Sequence, residues 1–216
     1  MQSNLFYVFL FKNTSFFSAL IDGGFFAQKF KERTTKFPFA NDIEAEVGQI
    51  MTALQKKTNG VTNDILIRVY YYDCRPYGGV ETKPGDTTPT DYSQSTSYRV
   101  KERVLHELGL KEQFAIRLGE LSFDGWNSKQ TIDDSGNVIT EYSPIFHQKG
   151  VDIKVGLDMA WMALKHTCDK IILVAGDSDF IAPIKFVRKE GLQVYLYAMG
   201  HNVKAKMIEH CDFILS

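Results

Sequence analysis

Acidic side chains follow apolar runs at several separate places in this chain of 216 residues. The stretch "IILVAGDSDF" is the clearest case, because an apolar run leads through one glycine into two carboxylates that a serine separates. Short apolar runs bounded by turn residues are typical of buried strands. The sequence therefore predicts carboxylates at the ends of several strands, with one more at the start of a helix: Asp22, Asp73, Asp177 and Asp179, and Asp152 on the helix.

Carboxylates grouped in this way favour a divalent cation. Two carboxylates about 4 Å apart repel each other by about 4 kcal/mol at an effective dielectric constant near 20, and a cation between them removes that repulsion. Oxygen donors suit hard ions such as Mg²⁺ or Mn²⁺, whereas His and Cys are too sparse near these acids for a zinc site. Taken singly, each Asp also has an ordinary explanation as a turn residue or a helix N-cap, for example Asp179 before the helix that starts near Phe180.

The elements that must position these acids alternate between strands and helices along the chain. Their order predicts an α/β fold of three layers, with a mostly parallel central sheet between helices and a small antiparallel insertion. Ligands bind beyond the carboxyl ends of the strands in such sheets. We predict one domain over residues 16–216, an N-terminal extension or extra strand over residues 1–15, and a loop and hairpin insertion at about 76–145. An antiparallel excursion is expected from Phe114 to Tyr142, with its turn within Asp133 to Ile139.

Composition excludes several classes of protein. The net charge of -1, from 25 basic and 26 acidic side chains, argues against a protein that coats nucleic acid through bulk charge. Three widely spaced cysteines predict neither a disulfide framework nor a structural zinc site, and they favour a reducing, cytoplasmic location. The apolar run "NLFYVFLF" is too short to span a bilayer as a helix and lacks the features of a signal peptide, so no membrane partner is expected.

Three motifs in this order resemble the NYN domains, the LabA-like branch of the PIN-like nuclease group: "LIDGGFF", "KGVDIKVGLDM" and "VAGDSDFIAPI". The resemblance extends from about residue 16 to residue 216 and implies a PIN-like, Rossmannoid fold. It also implies a metal-dependent endoribonuclease that hydrolyses RNA phosphodiester bonds. The residues that would bind one or two Mg²⁺ or Mn²⁺ ions and position water for catalysis are Asp22, Asp152, Asp177 and Asp179.

Further residues have weaker claims on the same site. Asp158 matches a family acid, but it lies about 120° around the helix axis from Asp152. It therefore either acts on the site through a neighbouring ligand, without binding the metal itself, or pairs with a base elsewhere. Asp73 rests on its strand-end position alone. Ser178 either orients a neighbouring carboxylate or is the small residue that the turn requires. Lys149 is the best candidate to hold a substrate phosphate, because it is close to Asp152 in the sequence.

One departure from the family pattern keeps other functions open. Many members read I-D-G-x-N after the first strand, whereas Gly24 and Phe25 follow Gly23 here and no Asn is present. The alternative function is therefore an RNA-binding regulatory module with little or no turnover. A phosphatase acting on small phosphate esters is a third hypothesis, although it would normally need D-x-D where this chain has D-G-G. The sequence leaves open the RNA target and the oligomeric state.

Overall fold

The computed structural model describes residues 14–132 and 138–216. The strands are β1 Thr14–Asp22, β2 Asn63–Cys74, β3 Val80–Glu81, β4 Thr90–Asp91, β5 Phe114–Ile132, β6 Val138–Lys149, β7 Lys170–Val174, β8 Gln193–Tyr197 and β9 Phe213–Leu215. The α-helices are α1 Gly23–Thr34, α2 Ala40–Lys57, α3 Thr96–Gly109, α4 Val151–Lys165, α5 Ile181–Lys189 and α6 Ala205–Ile208. Short 3-10 helices cover Tyr92–Gln94 and Ser178–Phe180.

One seven-stranded sheet organises the molecule, with the strand order β6-β5-β2-β1-β7-β8-β9. The neighbouring strands from β5 to β9 pair in parallel, and only β6 at the edge pairs antiparallel. Strands β3 and β4 form a separate antiparallel pair. The predicted α/β fold with a mostly parallel central sheet and a small antiparallel part is confirmed. Because β1 lies between β2 and β7, the ends of these three strands meet at one edge.

Two apolar cores lie on the two faces of this sheet. Helices α1, α2 and α3 pack on one face, where alternate residues of β1 such as Ala19 and Ile21 point. Helices α4, α5 and α6 pack on the other face, together with Leu20 and Leu173. Parallel sheets covered on both faces read as nearly continuous apolar runs, which explains why these strands were visible in the sequence. Within the described residues, no helix combines the length and the apolarity needed to cross a bilayer.

The antiparallel arm, residues 120–132 and 138–149, extends the sheet at one edge. Phe114–Gly119, which the sequence analysis assigned to an antiparallel excursion, instead pair in parallel with β2, because this half of β5 continues the central sheet. From Glu120 onward β5 pairs antiparallel with β6. The predicted turn lies partly outside the described residues, since 133–137 are among those not described. Four aromatic rings with centroids 5.4–6.0 Å apart join the arm to the preceding loop: Tyr77, Tyr92, Phe123 and Phe146.

The core on the α4 face predicts the effect of one truncation. Leu173 lies in the middle of the sheet and is fully buried, so Leu173→Ala should lower the free energy of unfolding by about 2–5 kcal/mol through lost burial and a cavity. Urea denaturation measures the change. The matched control is Leu110→Ala, because Leu110 is 73% exposed and should change stability by less than about 0.5 kcal/mol. Equal losses in both variants would contradict the assignment of this core.

Candidate active site

Asp22 lies at the carboxyl end of β1 and begins α1. Its Oδ1 accepts hydrogen bonds from the backbone N–H groups of Gly24 at 3.0 Å and Phe25 at 3.1 Å, so it is the N-cap of this helix. Burial nevertheless raises the pKa of Asp22 to about 6, and the negative charges of Asp152 and Asp73 add to the rise. The carboxylate is therefore in a partly desolvated place that already contains other acids, which is the physical pattern of a functional site.

Asp152 links the two sides of the acidic edge. It lies in the first turn of α4, after Gly150, which has the left-handed φ of 78° that glycine tolerates. Burial raises the pKa of Asp152, and the charges of Asp177 and Asp179 raise it further. Since Asp152 also acts on Asp22, the helix acid is within electrostatic range of the acid at the end of β1 and of the two acids after β7.

Asp177 and Asp179 follow β7 at the same edge, and both are exposed. The Oδ1 atom of Asp177 accepts the backbone N–H of Asp179 at 3.0 Å and caps the 3-10 helix Ser178–Phe180. The sequence alternative, a capping role near Phe180, therefore applies to Asp177 rather than to Asp179. A cap uses one carboxylate oxygen and leaves the other oxygen of Asp177 available.

Phe25 occupies the motif position at which the family pattern has an amide. A Cβ atom placed on Gly176 would lie 2.5 Å from the Phe25 ring, so the ring packs directly against the turn that leads to Asp177. Only glycine fits at that position. The ring thus fills the space between the ends of β1 and β7 with apolar surface. An amide is present nearby in another element, because Gln148 of the arm lies 3.7 Å from where a Cβ on Gly24 would be.

Asp73, the weakest candidate from the sequence, is the most buried acid of this edge, at 2% exposure. It forms an ion pair with Lys101 of α3, accepts the Cys74 backbone N–H at 2.7 Å, and hydrogen-bonds the Tyr71 hydroxyl. A Cβ on Gly23 would lie 2.6 Å from Asp73 Oδ2 and 2.8 Å from Tyr71 Oη, so only glycine fits between this cluster and Asp22. Burial and the Asp73 charge raise the pKa of the Tyr71 hydroxyl, which stays protonated.

Asp158 turns away from this group. Its Oδ2 accepts hydrogen bonds from Tyr72 Oη and from Arg117 Nε, both at 2.9 Å, and so it pairs with a base on β5. Ser178 is half-buried within the turn, and Lys149 is exposed at the end of β6. Among residues 14–132 and 138–216, no group of three His, Cys, Asp or Glu side chains is arranged to hold a metal ion. The acids are electrostatic neighbours rather than a closed ligand set.

Residues 123–216 match the family model of the NYN domain, which is less than half of the chain. This part of the chain is similar to an NYN domain. The matched part includes Asp152, Asp177 and Asp179, whereas Asp22 lies before it. The predicted family is confirmed, and its LabA-like branch stays a prediction. No relative was found among the curated proteins.

A solved structure resembles this chain over most of its length. It is a protein of unknown function from Vibrio parahaemolyticus RIMD 2210633, with 14% sequence identity and a TM-score of 0.48. The alignment covers 94% of this chain and 93% of the other. At this similarity the comparison supports no functional inference.

Three neighbours of the acids were not predicted as functional: Lys101, Tyr71 and Gln148. Alternation along "YYYDC" places Tyr71 and Asp73 on the same face of β2, so that pair was readable from the sequence. Lys101 carried no such signal, because it is one of several basic residues on an amphipathic helix, 28 positions away from Asp73. Gln148 is an exposed strand residue, and only the fold brings it to Gly24.

The raised pKa of Asp22 predicts how its replacement affects stability. Folding raises this pKa from 3.8 to about 6, so the folded state binds more protons and loses stability as the pH rises between these values. Above pH 6 the penalty amounts to up to about 3 kcal/mol. Asp22→Asn keeps a capping oxygen and removes the charge. In urea denaturation with chelator present, the variant should therefore have a larger free energy of unfolding than the parent at pH 7.5. This difference should disappear toward pH 4. A constant difference across this range would contradict the assignment.

The pair of Lys101 and Asp73 predicts a second effect on stability. Lys101→Met leaves a carboxylate at 2% exposure without its cation, which should cost roughly 3 kcal/mol. Combining it with Asp73→Asn should recover more than half of that loss, since the uncompensated charge is gone. Arg75→Met is the control, because the Arg75–Glu102 pair has a 68% exposed arginine and should contribute less than about 1 kcal/mol. Additive losses in the double variant would show that the two side chains act independently.

Proposed function

We propose that this chain is a metal-dependent ribonuclease that hydrolyses RNA phosphodiester bonds. The observation that supports it most is the electrostatic coupling of Asp22 with Asp152, and of Asp152 with Asp177 and Asp179. These acids come from three separate segments and meet at the strand ends of a parallel sheet, where ligands bind in such folds. Their charges repel, and a site that keeps such acids together favours a positively charged ligand.

The available donors fit Mg²⁺ or Mn²⁺. All of them are carboxylate oxygens, which hard divalent ions prefer, and Asp152 and Asp179 are exposed to solvent, where an ion could reach them. The residues that would hold the metal are Asp22, Asp152, Asp177 and Asp179. When bound, the ion would neutralise charge on the phosphate and make an attacking water more acidic.

Side chains around the metal ligands would have separate roles in orienting the ligands and binding the RNA. Asp22 has one oxygen fixed by two backbone N–H groups, so its other oxygen has a defined direction toward the edge. Lys101 forms an ion pair with Asp73. This pair neutralises the buried acid, so that it does not repel an RNA phosphate. Lys149 is exposed beside Asp152 in the sequence, and it would contact the RNA backbone without reading sequence. Gln148 would supply the amide that Phe25 does not.

A second function has support from the same structure. Phe25, which packs against Gly176, occupies the position of the amide in the family pattern. If catalysis requires that amide, the chain would be an RNA-binding regulatory module with little turnover. In that case the acids would position a metal ion and RNA without hydrolysis. Cleavage of RNA distinguishes the nuclease from this module, which would bind RNA and leave it intact.

Asp177→Asn is the variant that tests the nuclease. Purified protein should cleave RNA with Mn²⁺ or Mg²⁺ and not in excess chelator, and Asp177→Asn should lower the rate at least about 100-fold by weakening the electrostatic stabilisation at the site. The capping oxygen is retained, so the urea midpoint should stay close to that of the parent. Gel analysis of end-labelled RNA measures the rate. Glu209→Gln serves as the control, because Glu209 is exposed after α6, away from the acids.

Activity that persists in chelator and in Asp177→Asn would refute the nuclease proposal. RNA that is bound but stays intact after long incubation with either metal would favour the regulatory module. Release of phosphate from small esters, with RNA left intact, would favour a phosphatase.

A further inference from the structure

Helix α4 carries large apolar side chains on the face that points away from the core. Val151, Val155 and Met159 are buried against the sheet. On the opposite side, four residues form an exposed row, called here the α4 stripe, with exposures of 68%, 65%, 52% and 59%: Ile153, Leu157, Trp161 and Leu164. A helix with apolar residues on two opposite sides normally buries both sides. Among the described residues, only the side that packs on the sheet is buried, and the α4 stripe is exposed.

The spacing of the stripe matches the requirements of a second helix. Ile153, Leu157, Ala160 and Leu164 follow one another at steps of four, three and four residues, which is the seam of a helix pair. Trp161 lies directly beside this seam. The small Ala160 lies at its centre, where two helix backbones can approach each other closely. The charged residues Lys154 and Lys165 lie next to the row rather than within it.

The area of the stripe fits a dimer of standard size. At about 200 Å² for a whole large side chain, the four exposed fractions amount to roughly 500 Å² of apolar surface. A standard interface buries about 800 Å² on each partner, and in homodimers about 65% of that is apolar, which is also roughly 500 Å². The patch is at the upper end of what monomers leave exposed.

We propose that α4 packs against α4 of a second copy of this chain, in a two-fold symmetric dimer. An isologous contact places the same surface on both sides. With the two-fold axis near Ala160, Leu157 of each copy lies against Trp161 of the other copy. The large Trp161 side chains then fill the space beside the small Ala160 side chains. The dimer would bury the stripe on both copies. This inference is independent of the proposed nuclease activity.

Sedimentation velocity of the full chain tests the dimer. The parent should sediment as a dimer at micromolar concentrations, and Leu157→Glu should sediment as a monomer, because it would bury two charges at the interface. Leu157 is 65% exposed, so the variant should keep the circular dichroism spectrum of the parent. Leu110→Glu is the matched control, since Leu110 is 73% exposed outside the stripe; this variant should remain a dimer.

A cross-link gives a second measurement that does not depend on loss of assembly. Ala160→Cys should form a disulfide-linked dimer on oxidation, because a residue beside a two-fold axis faces its own copy. Leu110→Cys should not, and it also controls for the native cysteines, of which Cys211 is half-buried.

A monomeric parent over the whole concentration range would overturn the proposal. An unchanged dimer in Leu157→Glu would do the same, because a different surface would then be the interface. If the full chain is a monomer but a chain without residues 1–13 is a dimer, the N-terminal segment covers the stripe in place of a second copy, and the proposal is likewise wrong.

Discussion

The partly buried carboxylate of Asp22 governs the electrostatics of the whole strand-end edge. β1 is the central strand of a sheet covered on both faces, so its end lies in a poorly solvated place. Two backbone N–H groups stabilise the charge of Asp22, but burial outweighs them, and neighbouring acids add to the penalty. Two features of the surroundings limit the repulsion between these acids. Lys101 neutralises Asp73, and Asp152, Asp177 and Asp179 are exposed to solvent, where repulsion is weaker.

Two kinds of acid are thus distinguished by their partners rather than by their positions. Asp73 and Asp158 each have a basic partner, Lys101 and Arg117, and those pairs tie helices α3 and α4 to strands β2 and β5. Within the described part of the chain, Asp22 and Asp177 accept hydrogen bonds from backbone N–H groups, and Asp22, Asp177 and Asp179 each have Asp152 as a neighbour of like charge. The first kind secures the fold. The second kind keeps unneutralised charge, which is the property that a cation site needs.

Much of the fold could be predicted from the sequence, because buried parallel strands leave apolar runs that end in turn residues. The same signal located Asp22 and Asp177. It failed for β5, since "FAIRLG" was joined to the hairpin that follows it, although its first part pairs in parallel with β2. The sequence offered a base as one possible partner of Asp158, but it could not identify that base as Arg117. The two residues are 41 positions apart, and their contact depends on the packing of a helix over two strands.

Strand β5 continues from the parallel sheet into the antiparallel arm over 19 residues, or roughly 60 Å at a strand's usual rise, with one register shift between Phe123 and Trp126. Its partner β6 ends at Lys149, one residue before α4 begins through Gly150. A displacement of the end of β6 would therefore also displace the first turn of α4, which contains Asp152. The geometry of one candidate metal ligand thus depends on the edge strand of the sheet as well as on the strands that end beside it.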